Sequence, residues 1–116
     1  MTQFYLRTAN DELATFDWDS IKRYIMDLPY SDEEHIVLGS LLEDNSYIQT
    51  RVNVETYRTD GLYDLEVRLP VESGFQHYQC CTNDTCQVIN DFYLFYTNQL
   101  VDVSLYQDIT AEFDGY

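Results

Sequence analysis

The side chains able to hold a metal or act as nucleophiles gather late in the chain. His77, Cys80, Cys81 and Cys86 lie within ten residues, and zinc takes four nitrogen or sulfur donors in a tetrahedron. The spacing argues against it, because adjacent cysteines on a strand point to opposite faces and no Cys-x-x-Cys pair is present. These thiols read more simply as small buried hydrophobes. A Cys–His nucleophile pair has only His35 and His77 to draw on, and the acidic surroundings raise a thiol pKa rather than lower it. No EF-hand, P-loop, GxGxxG, GxSxG or HExxH pattern occurs. The expectation is a chain without a cofactor, without a metal and without catalysis of its own.

The carboxylates carry more information. The 116 residues hold 21 Asp and Glu against 6 Lys and Arg, a formal net charge of −15. A small soluble domain usually stays within a charge of roughly 2–8. Direct nucleic-acid binding is disfavoured, since phosphates repel such a surface. All six bases (Arg7, Lys22, Arg23, Arg51, Arg58 and Arg68) precede Leu69, so the second half has an uncompensated negative field that attracts basic partners. Eleven tyrosines are interspersed with these acids, and tyrosine supplies contact area at low entropic cost. The candidate partner-binding residues are Asp32, Glu33, Glu34, Glu43, Asp44, Asp60, Asp64 and Glu66, with Tyr47 among them.

The elements that must position these groups follow from periodicity. Gln3 to Thr8 predicts a short strand, and Ala9 to Thr15 a polar connector. Trp18, Ile21, Ile25 and Leu28 recur at helical steps, so a helix is expected from Asp17, its N-cap, to Leu28, with Pro29 ending it. His35 to Leu42, Tyr47 to Glu55, Leu62 to Leu69 and Phe75 to Cys81 predict strands. Turns are expected at Glu43–Ser46, at Thr59-Asp60-Gly61 and around Ser73-Gly74. A second helix is expected from Thr82–Thr85 to Asn98, with a stripe of Cys86, Ile89, Phe92, Tyr93 and Tyr96 widened by Val88 and Phe95. Val103, Tyr106, Ile109 and Phe113 predict a short terminal helix.

The whole is expected to be one α+β domain, residues 1–116, with an antiparallel four- to five-stranded meander and helices packed on one face. No apolar run approaches the roughly 20 residues of a membrane span. Met1 to Ala9 lacks an export signal and the cysteine count is odd, which together predict a cytoplasmic protein with reduced thiols.

The order of short motifs resembles a family. Asp17-Trp18-Asp19-Ser20-Ile21 opens a helix ending at Leu28-Pro29. Ser46-Tyr47-Ile48-Gln49, Leu65-Glu66-Val67-Arg68, His77-Tyr78-Gln79 and the aromatic run from Val88 to Tyr96 follow. This order, from Trp18 to about Phe113, is similar to small bacterial immunity proteins encoded beside polymorphic or contact-dependent toxins. Trp18, Tyr47, Gln49, Glu66 and His77 carry the pattern, while Cys80-Cys81 and the absence of bases after Arg68 depart from it. The resemblance implies a non-catalytic inhibitor that binds and occludes a basic toxin domain, a nuclease or deaminase. One alternative is a phage-type nucleic-acid mimic that inhibits a host or defence nuclease. Another is a small zinc or thiol protein using His77, Cys80, Cys81 and Cys86.

Overall fold

In the computed structural model, residues 3–13, 15–31, 34–52 and 62–113 are described. Their alternating runs form seven strands: β1 (Phe4–Thr8), β2 (Glu12–Leu13), β3 (His35–Ser40), β4 (Tyr47–Val52), β5 (Tyr63–Val71), β6 (Gly74–Thr82) and β7 (Gln107–Asp108). All pair antiparallel in one sheet of order β2-β1-β3-β4-β5-β6-β7. The expected four- to five-stranded meander is therefore the centre of a wider sheet.

The two additional edge strands are two residues long, too short for an alternation signal. After β1 the chain reverses at Thr8, whose backbone N–H donates to Asp11 O at 2.8 Å. That reversal lays Glu12 and Leu13 against Arg7 and Leu6, where a polar connector was expected. The expected terminal helix over Val103–Phe113 is likewise replaced. Gln107–Asp108 add to the edge of β6, and Thr110–Phe113 form one 3-10 turn. Ile109 N–H donates to His77 O at 2.8 Å, so the backbone bonds sideways to the sheet instead of along a helix. Ile109 is still buried, because a strap can turn one side chain inward every third residue without being helical.

Helix α1 (Trp18–Asp27) starts where Asp17 accepts hydrogen bonds from Ser20 N–H at 2.9 Å and Ser20 Oγ at 2.8 Å. It passes into a 3-10 turn, Leu28–Tyr30, at Pro29. Helix α2 (Thr85–Tyr96) is capped by Asp84, whose Oδ1 accepts from Cys86 N–H at 2.9 Å. Both helices lie on the same face. Ile21, Ile25, Val88, Phe92 and Phe95 pack with Leu6, Ile36, Leu38, Ile48, Leu65 and Val67 in one core, and each such side chain is worth about 1.5–3 kcal/mol in burial. The buried face of α2 is centred on Val88, Asp91, Phe92 and Phe95, so Cys86 and Tyr93, expected in its stripe, are exposed. Tyr93 and Tyr96 instead bracket the Trp18 ring, at 5.0 and 6.0 Å between centroids.

Candidate functional site

The opposite face of the sheet carries neither helix. Pairing register places three cross-strand rows on it. One row is Tyr5, Gly39, Tyr47, Arg68 and His77, the next Arg7, Val37, Gln49, Glu66 and Gln79, and the third His35, Arg51, Asp64 and Cys81. Strand alternation gathers on this face the residues whose neighbours in sequence form the core.

These polar groups are bonded to one another. Arg68 Nε donates to His77 Nδ1 at 3.0 Å, which leaves the ring proton on Nε2, 2.6 Å from Glu66 Oε1. Gln49 Nε2 donates to the second Glu66 oxygen at 3.1 Å. The His77 hydrogen bond, aided by that of Gln49 and by the positive potential of His77 and Arg51, holds the Glu66 carboxyl below its ordinary pKa against the opposing effect of burial. Burial raises the Tyr47 hydroxyl, and nearby Glu66 adds to the rise against the pull of Arg68. A second unit lies beside the first, where Asp64 accepts from Arg51 Nε at 3.2 Å and from Gln79 Nε2 at 2.7 Å. Between the units, His35, Gln49, Thr50, Arg51, Asp64 and Glu66 line a cavity of about 300 Å³.

Aromatic rings close the other end. The Arg68 guanidinium lies 3.9 Å from the Phe75 ring centroid, 4.7 Å from that of Phe113 and 5.3 Å from that of Tyr47. His77 is 1% exposed and its ring centroid is 4.6 Å from that of Phe113. The C-terminal strap is tied down there, with His77 N–H donating to Thr110 Oγ1 at 2.9 Å. Gly39 has its own role in this row, since a Cβ there would collide with the Tyr5 ring.

The residues expected to bind a partner are divided by this geometry. Tyr47, Asp64 and Glu66 come together on the uncovered face. Asp64 is 3% exposed, so its carboxylate is taken by Arg51 and Gln79. Glu43 and Asp44 are exposed in the β3–β4 turn beside Tyr47, whereas Glu34 is exposed at the far end of β3. Asp32, Glu33 and Asp60 lie outside the described residues. Arg51, Arg68, Gln79, Phe75 and Phe113 join the site without having been singled out for it. The alternation of β4 and β5 marks Arg51 and Arg68 as sharing a face with Tyr47, but nothing in the sequence brings Phe113 to them.

The thiols are spread over both faces: Cys81 shares the uncovered face with His77, the register turns Cys80 towards the helices, and Cys86 lies on α2. Cys81 and Cys86 are exposed, where small buried thiols were expected. Burial, reinforced by the charge of Asp91, pushes the Cys80 thiol up to about 11. Tyr106 Oη donates to Asp91 at 2.6 Å beneath the strap, and burial raises both groups above their ordinary values. Among the described residues, no group of three or more His, Cys, Asp or Glu is placed to hold a metal ion. Nor is any described helix long and apolar enough to cross a membrane. No protein-family model, curated protein or solved structure matches the chain.

Proposed function

We propose that this chain is a non-catalytic acidic inhibitor of the immunity-protein kind, binding and occluding a basic toxin domain such as a nuclease or deaminase. The carrying observation is a net charge of −15, with three of the six bases already engaged by neighbouring side chains. Arg7 pairs with Glu12, Arg51 with Asp64, and Arg68 is enclosed by three rings. The field presented outward is therefore anionic, and it accelerates encounter with a positively charged groove. Tyr47, Gln49 and Glu66 are held by neighbouring side chains before any partner arrives, which reduces the entropy lost on docking. Carboxylates in the toxin's groove would take the place of phosphate.

The test is co-expression with any toxin domain that a neighbouring gene encodes, followed by measurement of toxin activity and of association rates across a salt series. The expected result is a one-to-one complex, an inactive toxin, and association that slows as salt rises. Failure to bind that domain at low and at physiological salt overturns the proposal.

A further inference from the structure

A second surface lies at the Glu43 end of the sheet, on the helix side. A groove of about 500 Å³ runs between the β3–β4 turn, the end of β5 and the segment following α2. Phe4, Leu69 and Phe95 are among the side chains that line it. Leu42 and Leu100 stand on its walls, 72% and 84% exposed. An apolar-lined groove with exposed leucines on its walls is the kind of surface that marks an interaction site.

Both walls are pre-formed. Leu42 and Glu43 N–H groups donate to Ser40 Oγ at 3.0 and 3.1 Å, and Asn45 completes the turn with φ 59°. On the other side Asn98, also at φ 59°, ends α2, and Gln99 N–H returns to Leu94 O at 2.8 Å. Among the described lining residues Glu43 is acidic and none is Lys or Arg, while the exposed Asp44 and Asp102 adjoin lining residues in the chain.

We infer that this groove takes a protein segment with two or three apolar side chains flanked by Lys or Arg. The apolar floor buries the anchor, and Glu43, with the exposed Asp44 and Asp102 next to lining residues in the chain, attracts its flanks. This rests on reading the chain as an acidic binder, and it gives the basic partner an apolar anchor next to the charged contact. The exposed β3–β4 turn that carries Glu43 leads directly into Tyr47 on the other face, so one partner can span the turn.

The test is an amide-resolved NMR titration of the full chain with a blocked heptapeptide, Leu-Phe-Leu between paired lysines. A control peptide has glutamates in place of the lysines. The expected result is shift changes confined to the groove, including Leu42, Ser46, Leu100 and Val101. Binding should weaken at least about tenfold with the glutamate peptide, and likewise in the Leu42→Ser/Leu100→Ser double variant. These two side chains are exposed, so the variant is expected to fold. Equal binding of both peptides, shifts on the uncovered sheet face instead, or no shift at millimolar peptide overturns the inference. Its failure is separable from failure of the proposed function. A double variant that retains full affinity for the adjacent toxin removes the groove from the interface and leaves the inhibitor reading intact. Peptide in the groove with no toxin bound does the reverse.

Discussion

At the scale of single residues, the uncovered face depends on two side chains that chemically similar replacements do not reproduce. Arg68 holds its guanidinium over the Phe75 ring while its Nε–H donates to His77. A lysine ammonium has neither the plane nor the directed donor. Arg68→Lys is therefore expected to lose about 1–2 kcal/mol in urea unfolding. Glu66 accepts from His77 with one oxygen and from Gln49 with the other. A glutamine there offers one acceptor and turns an NH2 group towards a donor, so Glu66→Gln should cost about 1–3 kcal/mol at neutral pH. The two proteins should also differ in their response to acid. Glu66 has a folded pKa below its ordinary 4.5, so its contribution is fully present above that value. As the pH falls below it, the unfolded chain takes the proton first and the contribution is lost. The stability difference between wild type and Glu66→Gln should shrink as urea midpoints are followed from about pH 7 to about pH 3.

At the scale of elements, the C-terminal strap completes the site. β7 adds only two residues to β6, yet Thr110 and Phe113 follow it onto His77 and Arg68. Removing the Thr110 hydroxyl leaves the His77 N–H without its acceptor beneath a buried ring. Thr110→Val is expected to cost about 1–2 kcal/mol. Hydrogen exchange should quicken at the His77 and Ile109 amides first, with β3 and β4 in the centre of the sheet retaining their protection. Uniform loss of protection across all strands would contradict this division. The helices act differently, since they cover only the core face. Leu65, fully buried, sits between the two layers. Leu65→Ala should cost about 2–5 kcal/mol on thermal or urea unfolding while leaving the surface chemistry of a folded molecule unchanged.

At the scale of the whole molecule, charge dominates. With −15 formal charges, like-charge repulsion opposes the compact state. Raising salt from about 10 mM to about 0.3 M shortens the Debye length from about 30 Å to below 8 Å. The melting temperature should therefore rise over that range. The same salt should slow association with a basic partner, so stability and on-rate are expected to move in opposite senses. A melting temperature that falls on screening would mean that favourable ion pairs outweigh the repulsion.

Much of this was legible in the residue order, and for local reasons. The helix begun by Asp17, the strands starting at His35 and Tyr47, the hairpin at Glu43–Ser46 and the capped second helix depend on periodicity and on short-range hydrogen bonds. Those interactions act within a few residues, so the sequence determined them by itself, together with the sign and size of the charge. Tertiary structure decided the rest. β2 and β7 exist because a neighbouring edge offers free backbone groups to two residues that have no strand pattern of their own. Phe113 reaches Arg68, and Tyr5 crosses Gly39, only once sheet register has aligned separate strands. Asp64 and Glu66 look like solvated acids in a list of residues. They become a buried carboxylate held by an exposed arginine and a histidine-bound carboxylate because pairing sets Arg51 and Gln79 beside one and His77 beside the other.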